Sequence, residues 1–116
     1  MRSFKDLIRI SEDKIEELVP QGGVLLLMAC LRQGEGLEAS LASLERTARW
    51  FGGDLRVCYG LDDILSYLMD RFHFNQVPTF LLIRQGELLA ARSGAARADE
   101  LIGFVREGGR MAAREA

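Results

Sequence analysis

Cys30, Cys58 and His73 are the side chains of this sequence best suited to nucleophilic, redox or acid–base chemistry, and its 116 residues contain no other cysteine or histidine. The two cysteines lie 28 positions apart, a spacing that fits neither a disulfide framework nor a zinc site. The single histidine also excludes metal sites built from several histidines. We expect no metal and no cofactor. Cys30 is the only plausible nucleophile, although a free thiol near a strand end is more often buried and inert.

His73 stands between Phe72 and Phe74 at the predicted end of a helix. A catalytic or pH-sensing role needs an acid or a nucleophile beside it, and the sequence identifies none. We therefore predict a capping or partly exposed histidine.

Glu35 lies between Gly34 and Gly36, directly before a predicted helix. The glycines could present backbone N–H groups to an anion, but the Glu35 carboxylate opposes this and no phosphate-loop lysine follows. The carboxylate either presents a fixed charge to a partner or stabilises the helix start by about 0.5 kcal/mol. We favour the second interpretation.

The composition indicates one globular domain and disfavours two kinds of partner. The chain is 48% apolar and 28% charged, with a net charge of −2. No long run carries one sign of charge, so nucleic acid and anionic membranes are not expected partners. The longest apolar run, Val24 to Leu31, is far shorter than the ~20 residues of a membrane span. The first residues lack an apolar signal core, and a cytoplasmic location is expected.

The elements that must position these residues follow from the apolar spacing and from proline and glycine. In chain order we predict an edge strand within 4–10, a helix over 12–19, a strand over 24–29, a helix over 37–51, a strand over 55–59, a helix from about 62 to 71, a hairpin over 78–91 and a helix over 99–107. The run 24–29 has no polar alternation, which is typical of a strand covered on both faces. Trp50 and Phe51 continue the apolar stripe of their helix and are predicted to be core residues.

Caps and stops set the predicted boundaries of these elements. Ser11 is a good N-cap, and Asp62 or Asp63 can cap the third helix. Pro78 must open its strand because proline cannot donate to a sheet ladder. The order β-α-β-α-β-α-β-β-α predicts a mixed central sheet flanked by helices, with residues 109–116 as a frayed tail.

The segment from Gln76 through Val77-Pro78-Thr79 to the hairpin glycine Gly86, followed by Gly94 and a last helix, resembles the C-terminal half of thioredoxins. The first half fits the same family more loosely but in the same order. The resemblance implies an α/β fold, a thioredoxin-like three-layer α/β/α sandwich, over residues 1–108. It also implies a cis Val77–Pro78 bond and a groove in which Pro78 faces Gly94.

The sequence departs from the family at its redox centre. The C-x-x-C of thioredoxins should fall on Gln33 to Gly36, or one residue later on Gly34 to Leu37, and neither register contains a cysteine. Cys30 lies three or four residues too early. The family's buried aspartate falls on Leu27. Because two separate parts of the redox machinery are missing, dithiol oxidoreductase chemistry is improbable.

Three functional hypotheses remain open. The first is a redox-inactive thioredoxin-like domain that binds a protein or peptide segment in the ancestral groove, an accessory or chaperone-like role of the kind known in bacterial hydrogenase maturation. The second is a monothiol thiol-disulfide or peroxide-reactive protein acting through Cys30. The third is a self-assembling scaffold without a client. The candidate groove residues are Gln33, Gly34, Glu35, Gly36, Gln76, Val77, Pro78 and Gly94.

Overall fold

A computed structural model describes residues 7–19 and 23–115, with backbone only from 111 onwards. The elements, in chain order, are β1 (Ile8–Arg9), α1 (Glu12–Leu18), β2 (Leu25–Cys30), α2 (Leu37–Phe51), β3 (Leu55–Gly60), α3 (Leu65–Phe72), β4 (Thr79–Arg84), β5 (Glu87–Ser93) and α4 (Ala98–Glu115). Short 3₁₀ turns, Gly52–Asp54 and Asp62–Ile64, precede β3 and α3. The predicted order of strands and helices is confirmed.

The five strands form one mixed sheet in the order β1-β3-β2-β4-β5. β3 runs parallel to both β1 and β2, while β4 is antiparallel to β2 and β5. The central strands β2 and β4 are buried along almost their whole length, because helices cover both faces of the sheet there. This explains why the sequence of β2 shows no polar alternation.

Alternate residues of the central strands supply two separate cores. One core joins the sheet to α2 and α4 through side chains such as Leu44, Phe80 and Leu101. The other joins the opposite face to α1 and α3 through Ile15 and Leu68, among others. The predicted three-layer α/β/α sandwich is therefore confirmed. None of the helices among residues 7–19 and 23–115 is both long and apolar enough to cross a membrane.

Several predicted boundaries near the site are wrong. β2 runs one residue further than predicted, so Cys30 is the last residue of the strand rather than a residue beyond it. Neither Asp62 nor Asp63 caps α3, because a 3₁₀ turn intervenes and Ile64 is the N-cap. Ser11 is the N-cap of α1, but its side chain makes no capping hydrogen bond.

The last helix does not end near Glu107 as predicted. α4 continues through Gly108 and Gly109 to Glu115. A Cβ atom on Gly108 would lie 2.4 Å from Cδ2 of Leu82, so the glycine lets the helix approach the sheet closely. Packing has here overridden the usual role of glycine as a helix stop.

Two further predictions concern the ends of elements. Trp50 is not a core residue, since 63% of it is exposed, whereas Phe51 is half-buried. Of the predicted first strand, Phe4 to Asp6 lie outside the described residues.

Candidate functional site

An open groove of about 320 Å³ lies between the loop that follows β2 and the Val77–Pro78 segment. Leu37 and Ser40, at the start of α2, also line it. Its lining residues are Leu31, Arg32, Gln33, Glu35, Gly36, Leu37, Ser40, Val77, Pro78 and Ala95. Five of these ten residues are apolar, and the exposed Arg32 and Glu35 supply one charge of each sign, so the groove is a partly apolar trough with charges of both signs among its lining residues.

The loop wall is fixed to the neighbouring β3–α3 connection by two hydrogen bonds. The amide of Leu31 donates to the carbonyl of Gly60 at 2.9 Å. The amide of Gln33 donates to Oδ1 of Asp62 at 2.6 Å, although the two residues are 29 positions apart. Asp62, a predicted helix cap, instead accepts a hydrogen bond from the groove loop.

The loop turns into α2 by means of two glycines. Gly34 has φ of 125° and Gly36, the N-cap of α2, has φ of 90°. Residues with side chains rarely adopt these conformations, which explains the Gly-Glu-Gly pattern. Glu35 between them is exposed and lies at the helix N-terminus, where its charge suits the helix dipole.

The opposite wall is built around Pro78, and its peptide bond with Val77 is cis. The carbonyl of Pro78 accepts a hydrogen bond from the amide of Gly94 at 2.8 Å. The hydroxyl of Thr79 donates to the carbonyl of Gln76 at 2.5 Å. These contacts hold the segment 76–79 beside β5 and aim Val77 into the groove.

Val77 has unused hydrogen-bonding capacity. Among the described residues, neither its backbone N–H nor its carbonyl has a hydrogen-bond partner. The residue is only half-buried and lines the groove. An extended chain lying in the groove could therefore pair with both groups, as a short added strand does at a sheet edge.

The structure brings most of the predicted groove residues together. Five of them line the groove: Gln33, Glu35, Gly36, Val77 and Pro78. Gly34, Gln76 and Gly94 do not line it, and they support its walls through backbone hydrogen bonds. Sequence reasoning missed the remaining lining residues, which are Leu31, Arg32, Leu37, Ser40 and Ala95. Each is within four positions of a predicted residue, and Leu37 and Ser40 are one helical turn apart, a spacing that could have identified them.

Both cysteines lie away from the groove lining, in the core shared with α1 and α3. Cys30 and Cys58 are free thiols with no exposed surface. Burial raises the pKa of Cys58 to about 12. Burial, and secondarily the neighbouring Cys58, raises the pKa of Cys30 well above its ordinary value. Because the thiolate is the reactive form, this environment disfavours nucleophilic chemistry at either residue.

Strand register explains why the two thiols remain separate. Met28 is opposite Cys58 and Cys30 is opposite Gly60 in the β2–β3 ladder. The cysteines are therefore diagonal neighbours on one face, two residues out of register, and the spacing and rise of parallel strands place such Cα atoms about 8 Å apart. A disulfide needs closer Cα atoms than this.

Other candidate groups also lack a catalytic setting. Leu27, at the position of the family's aspartate, is fully buried among the apolar residues that face α2 and α4. His73 is the exposed C-cap of α3, with φ of 58°, and its amide donates to the carbonyl of Met69. The capping role predicted for it is confirmed. Within the described ranges, no three His, Cys, Asp or Glu side chains are grouped so that they could hold a metal ion.

Comparison with known proteins identifies the fold and nothing finer. No protein-family model and no curated protein sequence matches the chain. The crystal structure of chloroplastic thioredoxin z is similar, with a TM-score of 0.75 and 17% sequence identity, over 90% of this chain and 96% of that one. Altogether 341 chains of solved structures match. So widespread a fold supports many functions, and function must be argued from the site itself.

Proposed function

We propose that this chain, a domain with the thioredoxin fold but without a C-x-x-C pair, binds an extended protein segment in the groove between residues 31–37 and Val77–Pro78. Its role is accessory or chaperone-like, since it holds a segment of another protein rather than transforming it chemically. The observation that carries the proposal is the unpaired backbone of Val77 beside an apolar trough.

The groove offers one set of contacts to the backbone of a peptide and another to its side chains. The backbone N–H and carbonyl of Val77 match those of any extended segment, so they contribute affinity without sequence selectivity. The half-buried apolar side chains of the groove, Leu37 and Val77, gain from covering by an apolar side chain of the partner, at about 25 cal/mol for each Å² removed from water. Arg32 and Glu35 at the rim accept a polar or mixed-charge flank.

The chemistry of the groove favours reversible binding. In a redox-active relative, the loop before α2 carries the attacking thiol, whereas here it carries Glu35 between two glycines. Cys30 does not line the groove, and its buried thiol resists ionisation. A covalent mixed disulfide between the groove and a bound partner is therefore disfavoured.

The test begins with peptides selected from a random library displayed on phage, with the wild-type chain as bait. The selected peptide is synthesised with a fluorescent label, and its Kd is measured by anisotropy against wild type and Ala95→Trp. Ala95 is exposed and lines the groove, so the indole should fill the trough and weaken binding at least about tenfold, equivalent to ~1.4 kcal/mol. Ala91→Trp is the matched control, because Ala91 is an exposed alanine of β5 outside the groove lining.

A second measurement addresses the backbone pairing. Each amide of the selected peptide is N-methylated in turn, and one position, the one that pairs with Val77, should lose most of its affinity. Amide chemical shifts of labelled protein should change at Val77 when the unmodified peptide binds. A library that yields no binder, or a binder that tolerates Ala95→Trp and every N-methyl group, would contradict the proposed function.

A further inference from the structure

Among the described residues, the hydrogen bond between Asp62 and Gln33 is the only side-chain hydrogen bond that joins the groove loop to a distant part of the chain. Oδ1 of Asp62 lies 2.6 Å from the backbone nitrogen of Gln33. A hydrogen bond to a carboxylate is about twice as strong as one between neutral groups. This contact therefore has a large share in fixing where the loop lies.

Beyond Gln33 the loop depends on itself. The next backbone hydrogen bonds are local: Leu37 donates to the carbonyl of Gly34, and Ser40 donates to that of Gly36. A Cβ atom on either glycine would meet nothing within 4 Å, so there is open space beside both. Glycine backbones also have more accessible conformations than any other residue.

The same loop supplies much of the groove lining. Arg32, Gln33, Glu35 and Gly36 all line the groove, opposite Val77 and Pro78. The position of the loop therefore sets the width of the groove. A loop that is free to move must be ordered when a ligand binds, and that ordering lowers affinity.

We propose that Asp62 is a positioning residue for the groove. Its carboxylate holds the Gln33 amide and thereby keeps residues 32–36 as a preformed wall opposite Val77–Pro78. Asp62 itself does not line the groove, so it acts on the ligand only through the loop. The consequence for binding rests on the protein-binding function proposed above, whereas the restraint on the loop does not.

Three variants test the proposal. Asp62→Ala removes the acceptor, and Asp62→Asn keeps an acceptor oxygen in the same place without the charge. Asp63→Ala is the matched control, since Asp63 is the adjacent exposed aspartate in the same 3₁₀ turn and contacts Arg9 instead, at 3.5 Å. Hydrogen exchange of the Gln33 amide, followed by NMR, reports the restraint directly and needs no ligand.

In Asp62→Ala, we expect the Gln33 amide to exchange at least about tenfold faster, because its partner is lost. The labelled peptide selected on wild type should bind about tenfold more weakly, because the loop must then be ordered when the peptide binds. Asp62→Asn should recover most of both effects, and Asp63→Ala should show neither. If Asp62→Ala also lowers Tm, recovery of peptide affinity in Asp62→Asn still separates positioning from general instability.

Two outcomes would overturn the proposal. One is unchanged exchange of the Gln33 amide in Asp62→Ala, which would show that the carboxylate does not restrain the loop. The other is unchanged peptide affinity in Asp62→Ala. A different outcome would separate the two proposals. If the wild-type chain selects no peptide but the Gln33 amide exchanges faster in Asp62→Ala, the proposed function is contradicted and the restraint on the loop is supported.

Discussion

The backbone amide of Gly94 donates a hydrogen bond to the carbonyl of Pro78 at 2.8 Å. This contact joins the end of β5 to the segment that opens β4, just outside the first residue pair of their ladder, Thr79 with Ser93. One consequence is that Pro78 and Ala95 line the same groove. Gly94 does not line it, but its backbone determines which way Ala95 faces.

Gly94→Ala should destabilise the protein by about 1–3 kcal/mol, measured by urea denaturation. Gly94 has φ of 98°, a conformation that residues with a Cβ rarely adopt, although nothing lies within 4 Å of the added atom. Gly53→Ala is the control, because Gly53 has equal space and an ordinary φ. Its effect should stay within about 0.5 kcal/mol. Equal losses of stability in the two variants would show that backbone conformation at Gly94 is not strained by a side chain.

Gly108→Ala should leave the protein about 1–3 kcal/mol less stable than Gly103→Ala. Both glycines lie in α4, so each substitution gains the same helix propensity, roughly 1 kcal/mol. Only at Gly108 would the new methyl group meet the core, 2.4 Å from Cδ2 of the fully buried Leu82. The propensity gain cancels in the comparison, and the difference measures the cost of overpacking.

The double variant Leu82→Ala/Gly108→Ala provides the control for that mechanism. With Leu82 shortened, the clash disappears, so Gly108→Ala should cost less in that background than in wild type. If Gly108→Ala is as stable as Gly103→Ala in the wild-type background, α4 does not approach the sheet as closely as described.

The two thiols should make stability fall with rising pH above 9. Burial holds the pKa of Cys58 at about 12, against an ordinary value of 9.0, so the unfolded chain releases this proton before the folded chain does. Because the folded state then binds more protons, the free energy of unfolding decreases as pH rises from 9.0 towards 12. Cys58→Ala should show a shallower slope in urea titrations over this range. An identical slope would mean that Cys58 ionises as easily in the folded protein as in the unfolded one.

The burial of the two cysteines should also slow their alkylation. In the folded protein at neutral pH, iodoacetamide should modify Cys30 and Cys58 far more slowly than it modifies a free thiol such as glutathione, because both side chains are buried and protonated. In concentrated urea both should react at the rate of the free thiol. Rapid modification of native Cys30, located by mass spectrometry, would contradict its burial.

The chain should not accelerate the reduction of insulin disulfides by dithiothreitol above the background rate. Neither groove wall carries a thiol, and Cys30 lies in the core. Cys30→Ser should therefore behave as wild type in this assay. Activity that disappears in Cys30→Ser would favour the monothiol hypothesis and would count against the binding role proposed here.

The sequence predicted the fold well because its strongest signals are local. β2 is an unbroken apolar run, and the apolar residues of α2 recur every three or four positions. Both patterns reflect burial that is repeated along a single element. The Val77-Pro78-Thr79 segment and Gly94 indicated the groove wall from residue type alone, since proline fixes its own φ and glycine readily adopts the positive φ that other residues avoid. The missing C-x-x-C was also evident from residue types alone.

The errors occurred where a tertiary contact outweighed a local preference. Asp62 is a good helix cap by type, yet its carboxylate binds the amide of Gln33, which folding brings next to it from 29 positions away. Gly108 ends helices by type, yet it continues α4 because only glycine fits against Leu82. In each case the deciding partner is remote in sequence, so no local pattern records it.

The sequence by itself therefore determined the order of elements, the thioredoxin fold and the absence of a C-x-x-C pair, because these depend on residue type and spacing. Only the tertiary structure decided that Cys30 is enclosed in the core, that Leu31, Leu37 and Ala95 complete the groove, and that the backbone of Val77 is left unpaired among the described residues. These properties depend on which segments meet across the sheet. Burial and hydrogen bonding between segments arise only when the chain is folded.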